Sequence, residues 1–123
     1  MNLLSGERLK SGVIRKIERI VCDCVNEAFT VLAMDRYSPV SVSTLYDGVT
    51  NIPLTHRIAR SAVFVVAHDR FGVQYNELNE HSGITCNNIM KSARKFKDAP
   101  ECDDIVCKVK ELIDVELKKF PIV

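Results

Sequence analysis

Apolar residues return every three or four positions along most of this chain, the spacing that gathers them on one side of an α-helix. The widest stripe predicts a helix over residues 11–32, with Val13, Ile14, Ile17, Ile20, Val21, Cys24, Val25, Ala28, Phe29 and Leu32 on its apolar side. Arg15, Lys16, Glu18, Arg19, Asp23 and Asn26 fill the other side, and Ser5 or Ser11 is placed to cap it. A second helix is expected over residues 54–71, bounded by Pro53 and Gly72 as start and stop signals. Ile58, Ala62, Val65 and Val66 form its apolar band, which Val63 and Phe64 widen until it reads as the most buried helix. The run AVFVVA also suits a buried strand, but its length and its flanking Pro and Gly select helix. A last stripe, Ile105, Val106, Val109, Leu112, Ile113, Leu117 and Phe120, predicts a helix over residues 99–120. Asp98 would cap it, Pro100 open it and Pro121 stop it, and it should pack behind the preceding pair of helices or hold a partner chain.

That pair occupies residues 74–97. Tyr75 and Leu78 lie three apart on a short first helix, Gly83 supplies the turn and Ile84 follows it, and Ile89, Ala93 and Phe96 recur at four and three on a second helix. A glycine takes φ > 0 without a Cβ clash, which a tight link between helices demands. Thr85 is placed to cap the second helix. The order helix, glycine turn, helix is that of a helix-turn-helix, whose second helix enters the DNA major groove. Residues 34–53, with Pro39, Gly48, Pro53 and many hydroxyl side chains, read as a connector containing at most one helical turn around Val42, Leu45 and Tyr46. The expectation is an all-α, compact bundle of about five helices in one domain spanning residues 1–123.

Composition changes this picture little. The 123 residues carry 17 basic and 16 acidic side chains, a formal charge of +1, so the chain lacks an overall basic excess. The charge is unevenly spread: residues 85–97 hold four cations and no anion, and residues 98–123 hold four lysines against seven acids. A local basic patch binds phosphates even on a nearly neutral protein. The five cysteines, Cys22, Cys24, Cys86, Cys102 and Cys107, have no CxxC spacing, and no export signal precedes them, so reduced cytoplasmic thiols are expected. Cys22 and Cys24 read as small apolar core residues, no metal or cofactor is expected, and no apolar run is long enough to cross a membrane.

The stretch from about Ile58 to Phe96 carries, in order, IAR at Ile58, Ala59 and Arg60, YNEL from Tyr75 to Leu78, Gly83, and NNIMKSARKF from Asn87 to Phe96. In that order of features it resembles the C-terminal DNA-binding domain of the bacterial replication initiator DnaA, a Trp-repressor-like helical fold, which has TTVLHACRKI as its last segment. VNEAF from Val25 to Phe29 is similar to the helix that opens the family's domain. The family's RDHTT signature after the glycine is replaced here by Ile84, Thr85, Cys86, Asn87 and Asn88, and its basic loop is represented only by His56, Arg57 and Arg60. No phosphate-binding GxxxxGKS or GxxxxGKT pattern is present, so the ATPase part of such an initiator is missing.

The resulting expectation is a stand-alone bacterial or phage regulator that binds double-stranded DNA. Thr85, Asn87, Asn88 and Lys91 would face bases, and Arg94, Lys95, Lys97, Arg57 and Arg60 would meet phosphates. A homodimer or protein partner would complete the contacts. The competing expectation is a protein–protein interaction module that keeps the fold and has lost DNA binding. No nucleophile–base pair, paired-carboxylate set or phosphate loop points to an enzyme.

Overall fold

The apolar stripes become five α-helices among the described residues, with no strand: α1 (Leu3–Val31), α2 (Leu54–Phe71), α3 (Tyr75–Ser82), α4 (Cys86–Lys97) and α5 (Asp104–Lys119). The computed structural model describes residues 3–32, 34, 36–48 and 50–119, with side chains from residue 11 onward. No described helix is long and apolar enough to cross a membrane.

One hydrophobic cluster draws on all five helices. It includes Ile17, Val21, Val25 and Phe29 of α1, Ala62, Val63 and Phe64 of α2, Leu78 of α3, Ile89, Ala93 and Phe96 of α4, and Val109 and Ile113 of α5. The central helix is α2, which packs on α1, α3 and α4. Cys22 and Cys24 sit inside this cluster, where burial first, and neighbouring carboxylates second, push both thiols up to about 12. They are core residues with no thiolate chemistry near neutral pH.

Three expectations about the ends of the chain need correction. α1 starts at Leu3, eight residues before the predicted start, running through Gly6 and Gly12 as helix. A single helical glycine costs only about 1 kcal/mol relative to alanine, which a long, well-packed helix tolerates. α5 starts at Asp104, not near Pro100. Asp98 is the C-cap of α4, and the backbone turns once from Pro100 to Asp103, whose carboxylate accepts from the Val106 N–H at 3.2 Å and so caps α5. The expected end near Phe120 lies outside the described residues. Lastly, α5 packs mainly on α1, where the expectation set it behind the α3–α4 pair.

The connector after α1 is held by side chains that act as backbone. The Asn26 amide donates to the Val40 carbonyl at 2.8 Å and accepts from the Val40 N–H at 2.9 Å, fixing the chain beside α1 as a neighbouring strand would. The turn over residues 42–46 then buries Leu45 completely.

Candidate nucleic-acid interface

The link between α3 and α4 is three residues long and closely braced. Gly83 takes φ 78°, in the left-handed region, and its N–H returns to the Asn79 carbonyl at 2.8 Å. The Asn79 amide donates to the Ile84 carbonyl at 2.7 Å, and the Ser82 hydroxyl accepts from the Ile84 N–H at 3.1 Å. Thr85 is the N-cap of α4, its hydroxyl accepting from the Asn88 N–H at 3.3 Å. At the other end of α3, Gln74 and Glu77 form a capping box, in which the Glu77 carboxylate accepts from the Gln74 N–H at 2.8 Å; a glutamate at the third helical position is its usual sign in a sequence.

Ile89, Ala93 and Phe96 lie buried on one side of α4. Thr85 at its N-cap and Asn87, Asn88, Lys91, Arg94, Lys95 and Lys97 along it are all exposed. Asn87, Lys91 and Arg94, at steps of four and three, make the stripe directly opposite the buried one. Ser92 faces α2, its hydroxyl 2.5 Å from that of Ser61, and Lys97 forms a 3.2 Å ion pair with Asp69 further along α2. Arg57 lies one turn before Ser61 on α2, and Asn88 one turn before Ser92 on α4. Arg57 is exposed there.

The two flanks of α4 differ. Asn88 and Lys95, seven residues apart on one flank, have no ion-paired carboxylate among the described residues, whereas on the other flank Asp69 holds Lys97 and Asp98 lines a cleft with Arg94. From α5, Lys110 reaches over the Phe96 ring at 5.2 Å and donates to the Lys97 carbonyl at 3.5 Å, adding a cation at the C-terminal end of α4.

Two members of the expected basic loop are not at the surface. Arg60 is 8% exposed. Its Nε donates to the Leu45 carbonyl at 2.7 Å, and Nη2 donates to those of Asp47 at 2.7 Å and, more weakly, Gly48 at 3.5 Å. Arg60 therefore fastens the connector to α2 and is not available to a phosphate. His56 is buried beside Thr55, whose hydroxyl donates to the Ser38 carbonyl; burial, and then the Arg60 cation, hold the imidazole below its ordinary pKa. Of that loop, Arg57 alone remains exposed.

A buried polar contact that the sequence did not announce lies behind α3. Glu18, placed on the polar side of α1 by its spacing, is 2% exposed, and its carboxylate meets Nε2 of His81 at 3.0 Å. The Tyr46 ring stands edge-on to His81 with centroids 6.2 Å apart, and burial, reinforced by the Glu18 charge, keeps its phenol protonated far into alkali. No group of three potential metal ligands gathers among the described residues. Comparisons with protein-family models, with curated proteins and with solved structures yield no match.

Proposed function

We propose that this protein binds double-stranded DNA through α3, the residue 83–85 turn and α4 acting as a helix-turn-helix, with α4 as the helix offered to the major groove. The observation that carries the reading is the outer face of α4, where amides and cations stand exposed along a helix whose other side is buried. Asn87, Asn88 and Lys91 would address base edges, joined by Thr85 through the O–H that its capping role leaves free. Arg94, Lys95 and Arg57 would neutralise phosphates, with Lys97 contributing once Asp69 releases it. Arg60 and His56 have no part in this reading. The order of residues from Ile58 to Phe96 supports kinship with the DnaA C-terminal domain, and the replaced signature after Gly83 implies a different DNA site.

The test is a binding isotherm on duplex DNA at several salt concentrations. With three or four phosphate contacts, log affinity should fall against log salt with a slope of roughly −3 to −4. Absence of salt-dependent binding at low ionic strength would overturn the reading. A second reading, a protein-interaction module, draws on the exposed apolar side chains Val31, Leu32 and Met34 at the end of α1. It predicts a partner-dependent complex that substitutions at these three positions abolish, while α4 variants leave it intact.

A further inference from the structure

Hydrogen bonding and charge do not account for one side chain on the outer face of α4. Met90 is 42% exposed, whereas the other exposed positions of this helix are Asn87, Asn88, Lys91, Arg94, Lys95 and Lys97. A lone exposed apolar side chain is ordinary on a protein surface. What sets Met90 apart is its surroundings. It lies three residues after Asn87 and four before Arg94, within the same outward half of the helix. Beside it opens a cleft of ≈ 320 Å³ lined by Tyr75, Ala93, Arg94, Lys97 and Asp98 as well as Met90 itself. The Tyr75 ring is stacked on His68 with centroids 4.1 Å apart, so this wall of the cleft is firmly placed.

A thioether on three rotatable bonds, standing beside an amide and a guanidinium, suits a small apolar group presented next to hydrogen-bonding atoms. In the major groove the group of that kind is the C5-methyl of thymine. Three helical residues advance roughly 4.5 Å along the axis, close to the ~3.4 Å rise of one base-pair step. We infer that Met90 is a specificity-determining residue that packs against the methyl of a thymine one base-pair step from the base addressed by Asn87. This rests on the duplex-DNA reading above.

The experiment begins with duplexes enriched from a random library by the wild-type protein. Each thymine in the enriched site is then replaced singly by uracil, which removes only the methyl. Affinities are measured for the wild type, Met90→Ala and Asn87→Ala, with circular dichroism confirming unchanged helicity. At one position uracil should weaken wild-type binding by about fourfold, the effect of burying one methyl. Met90→Ala should bind the thymine and uracil duplexes equally, and Asn87→Ala should relax the preference at the adjacent base pair. Equal uracil sensitivity in the wild type and Met90→Ala would assign the methyl to another residue and overturn the inference. Salt-dependent binding with no enriched site, or with no sensitive thymine, would overturn it while leaving the DNA reading standing. Absence of salt-dependent duplex binding would remove both.

Discussion

Arg57 and Arg60 are three residues apart on one helix, and nothing in their immediate sequence separates a surface cation from a structural one. The difference is tertiary. The carbonyls of Leu45, Asp47 and Gly48 converge on Arg60, while Arg57 points into solvent one turn back from the Ser61–Ser92 contact. Arg60→Ala should therefore leave buried carbonyl oxygens without a donor and cost about 2 kcal/mol of stability, seen as a lowered thermal midpoint. Arg57→Ala should leave that midpoint unchanged and reduce the magnitude of the salt slope of the proposed DNA binding by about one. An Arg60→Ala protein that melts like the wild type but binds DNA poorly would reverse these assignments.

At the scale of elements, the parts legible in the sequence are those that local chemistry decides. Pro53 and Gly72 bound α2 as their backbone limits require, and Gly83 with Thr85 sets the turn into α4. The buried set Leu78, Ile89, Ala93 and Phe96 follows from spacing alone. By contrast, the start of α5 depends on which of two aspartates caps it, and Asp98 and Asp103 are equally good candidates by type. The packing of α5 on α1 depends on contacts between distant segments, which helical periodicity does not encode. The exposed face of α4 was likewise legible, because it is the complement of the buried one; the loss of Arg60 and His56 from the surface was not. Gly83 offers a clean test of the local part. A Cβ added there would meet nothing within 4 Å, so the penalty for Gly83→Ala is conformational alone, from holding alanine at φ 78°. About 1 kcal/mol of destabilisation is expected. Chemical denaturation checks it, and a neutral substitution would mean that the link does not depend on a left-handed residue.

Across the whole molecule, one contact that ties α3 to the bundle through a charged group joins residues 63 positions apart in sequence, Glu18 and His81. A carboxylate this deeply buried has lost its hydration, and His81 supplies the hydrogen bond that replaces it. His81→Ala would take that partner from the buried carboxylate and leave it the nearby Tyr46 phenol, at a cost of about 3 kcal/mol. In a background where Glu18 is already leucine, the same substitution should cost much less, because no buried charge remains to be abandoned. A double-mutant cycle should therefore give a coupling of roughly 1–3 kcal/mol. The single variant should also open locally before it opens globally. α3 leans on α2 and α4, whereas α1 keeps its own contacts with α2 and α5, so amide exchange should quicken first across residues 75–82. Since α3 carries one side of the turn that positions α4, such loosening should also weaken the proposed DNA binding by the wild-type α4 surface without touching any residue on it. Strict additivity in the cycle, with α3 protected as well as in the wild type, would mean that the apolar contacts of Leu78 hold this helix unaided.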